Sequence, residues 1–188
     1  MKNNIYPILP LRNTVLFPQQ IIPIYIGREH SLNLVNDFAK SDDKHIVVVA
    51  QKDGTVEEPE FTDLHEYATF AKIMKVFDMP DGSKSAIVQG IDRVKLIEQV
   101  DNEGYMKAVV DKCVNSEKVS DDLKSSVSNL QIIFKSLIEI APYLSEEQAN
   151  IFNSIQDAGK LADKAISLMN ISTKEKQEIL QELDVQER

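Results

Sequence analysis

Residues 5–26, IYPILPLRNTVLFPQQIIPIYI, are the most apolar part of the 188-residue chain and hold four of its seven prolines. Proline fixes φ, removes a backbone donor and pushes the preceding residue towards extended geometry. A helix is therefore excluded, and Tyr6-Pro7, Leu9-Pro10 and Ile22-Pro23 are expected as short extended pieces with proline at a strand start or an unpaired edge. The apolar runs are interrupted by Arg12, Asn13, Gln19 and Gln20. They fall short of the ~20 apolar residues of a spanning helix and do not form the unbroken core of a signal peptide. The segment is expected to line a sheet core and to turn corners within it.

The remainder of the first half continues in strands. Leu32, Val35, Phe38 and Ala39 fall on one helical face, which predicts a single inserted helix. The β-branched run at 45–51 predicts a buried strand, and 67–79 a longer one. Pro80-Asp81-Gly82 is turn chemistry that returns the chain into a strand at 85–89. Two further strands are expected at 93–100 and 105–110.

Beyond residue 116 the period changes. Val127, Leu130, Phe134, Leu137 and Ala141 recur at helical steps, Ile133, Ile140 and Leu144 widen the stripe, and Pro142 is expected to end the helix. Ser145 and Gln148 have the capping-box spacing, as do Ser172 and Glu175, and Asp157 is a plausible N-cap. The last helix meets no Gly or Pro before Arg188, which points to a chain that continues. The fold class expected is α+β: a β-rich domain at 1–116, an open barrel of about six strands with one inserted helix, followed by an α-helical bundle at 117–188.

Charge narrows the function. Residues 1–116 carry 13 Lys/Arg against 17 Asp/Glu, and the rest 8 against 13. Both halves are acidic, so neither offers the basic stripe that nucleic acid needs. Cys113 is the only cysteine, which excludes an internal disulfide and suggests a reducing compartment, with the cytoplasm expected. No phosphate-binding loop, nucleophile elbow or zinc-protease motif occurs. Gly159-Lys160 has Ser154 and Leu161 where a P-loop needs glycine and a hydroxyl. Cys113 is expected as a structural thiol, residues 57–60 as a solvated acidic loop, and Arg12, Arg28 and Arg93 as ion pairs or solvated charges.

The ordered pieces Leu9-Pro10-Leu11-Arg12-Asn13, Val15-Leu16-Phe17-Pro18, Ile22-Pro23-Ile24 and Gly27-Arg28 resemble the start of the N-terminal domain of the Lon ATP-dependent protease. Val48-Val49-Ala50-Gln51-Lys52, Tyr67-Ala68-Thr69, Met79-Pro80-Asp81-Gly82 and Val88-Gln89-Gly90-Ile91-Asp92-Arg93-Val94 continue the likeness. So do Ile155-Gln156-Asp157, Leu161-Ala162-Asp163 and Leu183-Asp184-Val185-Gln186-Glu187-Arg188, the last resembling the start of that family's long connecting helix. The resemblance implies a PUA-like β subdomain followed by a helical bundle, with no catalytic, cofactor or metal site in this chain. It implies that ATP and magnesium, the AAA+ module and a Ser–Lys protease dyad belong to a parent protease beyond residue 188. It further implies that this region recognises unfolded or degron-bearing proteins and helps organise a hexamer. A standalone domain of the same type, or an RNA-binding module as in other PUA-like folds, are the alternatives.

A surface that grips unfolded chains needs accessible apolar side chains or a free sheet edge. The segment 16–22 and the hairpin tip 77–80 are expected to supply it, through Leu16, Phe17, Ile21, Ile22, Phe77 and Met79. Plain core packing is the competing expectation for the first four.

Overall fold

The proline-punctuated front end is extended, and it is woven into a six-stranded sheet. In the computed structural model, described for residues 4–39, 41, 43–100, 104–116, 120–140 and 145–188, the strands are β1 (Ile5–Leu11), β2 (Ile21–Ile26), β3 (His45–Ala50), β4 (Tyr67–Asp78), β5 (Lys84–Val100) and β6 (Lys107–Lys112). Helix α1 (Glu29–Ala39) lies between β2 and β3, and α2 (Asp121–Ile140), α3 (Glu146–Ser154), α4 (Ala158–Leu168) and α5 (Thr173–Gln181) follow the strands. Two compact units result, residues 1–113 with 171–181 and residues 114–170 with 182–188. The division is thus not a single cut at residue 116, because the segment carrying α5 belongs with the sheet.

Strand order is β2-β5-β4-β3-β1-β6, and β5 also pairs with β6. Pairing therefore runs from β5 through β4, β3, β1 and β6 back to β5. Of these strand pairings, that of β1 with β3 is parallel and the rest are antiparallel. In β3, Ile46 and Val48 enter one apolar cluster while Val47 and Val49 enter another. Burial on both faces is what an unbroken β-branched run without alternation is suited to.

The two strands expected at 85–89 and 93–100 are one strand. Gly90-Ile91-Asp92 does not break it, because Ala71 pairs with Gly90 and Phe70 with Asp92, and the resulting bulge absorbs Ile91. Gly90 serves a different need. The Gln19 amide donates to the Gly90 carbonyl and the Gly90 amide to the Gln20 carbonyl, each at 2.9 Å. Thr69 Oγ1 donates to the Leu16 carbonyl at 2.5 Å. These bonds press the Phe17 backbone against β5 so closely that a Cβ at position 90 would overlap the Phe17 carbonyl.

Helix α5 ends at Gln181 and does not run on to Arg188 as its lack of a stop signal suggested. Helix ends leave carbonyls without intrahelical partners. The Leu180 carbonyl accepts from Arg93 Nε at 3.0 Å, and Arg93 is buried. Gln177 Nε2 donates to the Tyr67 carbonyl at 2.9 Å. Arg93 is therefore a buried helix-terminating donor, which corrects its expectation as a solvated charge.

In the second unit, Phe134 of α2 stacks on Phe152 of α3 with ring centroids 3.8 Å apart, and Leu161 and Ala165 of α4 complete the core. The Ser145–Gln148 box and the Asp157 cap form as expected. So does the Ser172–Glu175 box that opens α5. The wide stripe on α2 does not all reach this core, for Ile133 and Ile140 are exposed. Ala141, Pro142 and Leu144, expected to extend and end that helix, lie outside the described residues. After α5 the chain turns back on itself. The Ser116 amide donates to the Leu183 carbonyl and the Val185 amide to the Ser116 carbonyl. Arg188 Nε lies 3.7 Å from the buried Asp163 carboxylate.

Because a methyl at position 90 must displace backbone rather than a flexible side chain, Gly90→Ala is expected to lower unfolding stability by about 1–3 kcal/mol, the range of overpacking. A urea midpoint unchanged from the parent chain would show that the Phe17 loop yields freely.

Candidate functional site

The sheet unit buries its inner layers but leaves one outer face open, on the three-stranded ribbon β2–β5–β4. In antiparallel pairing, directly opposed residues point to the same side. Tyr25 lies opposite Ser85, which lies opposite Phe77. Pro23, Ile87 and Lys75 form the adjacent row. Ile21, Tyr25 and Phe77 are 58%, 65% and 42% exposed. Between Ile73 and Lys75 the register shifts, so Met74 is the extra residue of a bulge, and it too is exposed.

Polar groups hold the edges of this face. Lys75 Nζ sits 4.8 Å from the centre of the Phe77 ring, a cation–π contact. Tyr25 Oη donates to Asp81 Oδ2 at 3.1 Å. The Asp81 carboxylate also accepts from the Ser83 amide and hydroxyl, and those bonds hold its pKa below the ordinary range. At the hairpin tip the Gly82 amide donates to the Met79 carbonyl, with Gly82 at a φ of 84°. That left-handed conformation is the reason Asp-Gly suits this turn. Met79 itself is exposed at the tip.

The expected contact residues divide. Ile21, Phe77 and Met79 lie on or beside the open face. Ile22 packs against the core from a half-buried position, since its neighbours in β2 alternate sides. Leu16 and Phe17 are buried at 2% and 0% exposure, which corrects their assignment to an accessible surface. The loop that carries them is pinned to β4 and β5, and pinning turns its apolar side chains inward. Tyr25 and Met74 went unrecognised in the sequence. The period-2 alternation Ile21-Pro23-Tyr25 carried the signal for Tyr25; Met74 had none, because a bulge sets its direction.

The other reactive residue types are quiet. Burial pushes the Cys113 thiol above its ordinary pKa, against the pull of Arg93 and Lys95, which disfavours the nucleophilic thiolate. Glu60 and Asp63 cap a short 3-10 turn, the Glu60 amide donating to Asp63 Oδ2 at 2.8 Å. Among the described residues no group of three or more His, Cys, Asp or Glu side chains is placed to hold a metal ion, and no helix is long and apolar enough to cross a membrane.

Comparison with known proteins gives these features a frame. Residues 5–188 match the family model described as the ATP-dependent protease La (LON) substrate-binding domain. Lon proteases from Koribacter versatilis and Flavobacterium johnsoniae are each 38% identical to 97% of the chain, and one from Dictyoglomus thermophilum is 36% identical to 98% of it. The chain spans only 22–23% of the length of these relatives. The solved N-terminal domain of Mycobacterium avium complex Lon protease superposes with a TM-score of 0.79 at 17% identity, covering 97% of this chain and 92% of that one. A Lon N-terminal domain protein from Xanthomonas campestris gives a TM-score of 0.68 at 18% identity, with coverage of 96% and 92%.

Burial separates the expected residues in a way that unfolding can measure. Phe17→Ala is expected to cost about 3–5 kcal/mol, as for a fully buried aromatic. Phe77→Ser and Met79→Ser should each stay within about 0.5 kcal/mol of the parent, as for surface positions. Equal losses at positions 17 and 77 would contradict the placement of the open face.

Proposed function

Because the chain belongs to the ATP-dependent protease La (LON) substrate-binding domain family, we propose that it is the non-catalytic capture region of a larger ATP-dependent protease, engaging unfolded or degron-bearing proteins. The observation that carries this reading is the open apolar face of the β2–β5–β4 ribbon, built from Ile21, Tyr25, Met74, Phe77 and Met79. An unfolded chain is recognised by what folding would hide, its apolar side chains. A rigid sheet face presents matching side chains at little cost in ordering, and methionines adapt to varied partners because their side chains are unbranched and polarisable. Lys75 and Asp81 at the margin keep the patch soluble and narrow.

In this reading the ring of strands is the PUA-like open barrel and the helices of the second unit are a bundle. Exposed Ile133, Leu137 and Ile140 of α2 are the apolar surface available for contact between subunits of a hexamer. Bond cleavage by a Ser–Lys dyad, and the ATP and magnesium that drive it, are assigned to other parts of the parent protease, working in the cytoplasm. This chain's contribution is affinity: it raises the local concentration of a bound polypeptide for the rest of the machine.

Paired substitution tests the face. Binding of a reduced, alkylated unfolded protein to the Phe77→Ser/Met79→Ser variant should weaken about tenfold, as for loss of two partly buried apolar contacts. Unchanged affinity in a variant that melts like the parent would remove this face from substrate capture.

A further inference from the structure

Beside the free edge of β2 lies a cavity of about 530 Å³, walled by the end of β1 and its following loop, by β2 and by the start of α1. The volume suits a short peptide segment. Its lining includes Arg12 and Arg28 and, among the described residues, no Asp or Glu. In a chain of net charge −9 such a lining is against the average. Among the described residues no carboxylate pairs with Arg12. Arg28 Nη2 donates to Gln51 Oε1 at 2.6 Å, a neutral partner. Gln51 is buried, and its amide nitrogen donates to the Asp53 and Val56 carbonyls, so its oxygen is fixed where it can hold the guanidinium.

The two arginines act on each other. Burial lowers the pKa of Arg28 and the neighbouring Arg12 charge lowers it further, while Glu57 and Glu58 oppose the shift. Neither glutamate lines this cavity. An anion placed between the guanidinium groups would relieve that repulsion, and a carboxylate suits the planar donor fork.

The strands decide what kind of anion. Among the described residues β2 pairs on one side only, with β5. β1 pairs with β6 through Ile5, Tyr6 and Pro7, the Ile8 amide donates to the Met106 carbonyl, and past Ile8 no described strand pairs with that edge. Among the described residues the outer edge of β2 and the end of β1 beyond Ile8 therefore lack strand partners where they wall the cavity, and extended chain fits beside them. Pro10 and Pro23 each remove a backbone donor from these edges, so strand pairing alone would be weak. Charge must supply the anchor, while Leu11, Ile22 and Tyr25 supply apolar wall.

We propose that this cavity binds the C-terminal end of an extended apolar polypeptide, its terminal carboxylate held by Arg12 and Arg28. This deepens the capture reading and rests on it: the open ribbon face grips apolar segments anywhere in a chain, and the cavity selects chains by their end.

The test uses the 188-residue chain and a short N-terminally labelled peptide of leucine, valine and alanine, prepared as the free acid and as the C-terminal amide. Fluorescence anisotropy should show the acid binding at least about tenfold more tightly, the scale of a hydrogen bond to a charged group. Arg12→Gln and Arg28→Gln should each reduce that preference, and Arg12→Glu should favour the amide. Arg12 is exposed and makes no hydrogen bond or ion pair among the described residues, so its variants keep the test decisive if loss of the Arg28–Gln51 bond disturbs folding. Equal binding of acid and amide, absence of binding by either, or an acid preference that survives Arg12→Gln/Arg28→Gln would each overturn the proposal. Displacement of the acid by an equal concentration of acetate would do the same, since it would mark a site for a bare anion. The Phe77→Ser/Met79→Ser measurement separates the two ideas. Capture on the ribbon face with no acid preference refutes the cavity alone, and an acid preference without ribbon binding refutes the face alone.

Discussion

One strand bonds to three others. The first half of β5 pairs with β2, its second half with β6, and residues 84–95 with β4. That arrangement is possible only if the strand bends without ending. The bulges at Ile91 and near Ile97 supply the bend, as two residues opposing one increase local twist. Everything attached to the sheet takes its position from this strand. The segment 16–20 docks at Gly90, α5 ends against Arg93, and the open ribbon consists of the first half of β5 and its two neighbours.

Local signals were legible where the chemistry is local. The capping boxes at Ser145 and Ser172 and the Pro-Asp-Gly hairpin depend on residues three or four apart, and they form as the sequence implies. The apolar run in β3 was legible for the same reason, since both of its faces are buried. Signals failed where a distant partner decides. Gly90 looks like a strand break until the Phe17 carbonyl is placed beside it. Nothing near Gln181 stops a helix, and the buried Arg93 that donates to the Leu180 carbonyl comes from β5.

The candidate site divides along the same line. Phe77 and Met79 sit beside a turn whose geometry is written in three residues, so their exposure could be inferred. Leu16 and Phe17 have equally apolar surroundings in sequence, but Thr69, Gln20 and Gly90 pin their backbone and send them inward. The arginines mislead in the opposite sense. Each is an ordinary surface charge in isolation, and only the fold brings Arg12 and Arg28 to one cavity while sending Arg93 into the core.

The prolines at the front of the chain have one more effect. An outermost strand with a full row of free amides is a template on which identical molecules can stack. Pro23 sits in the middle of the lone-sided strand and deletes a donor from its row. The interruption works as a built-in guard against self-assembly into continuous sheets. The same residue that forbids a helix at the front of the molecule thus helps keep each copy separate from the next.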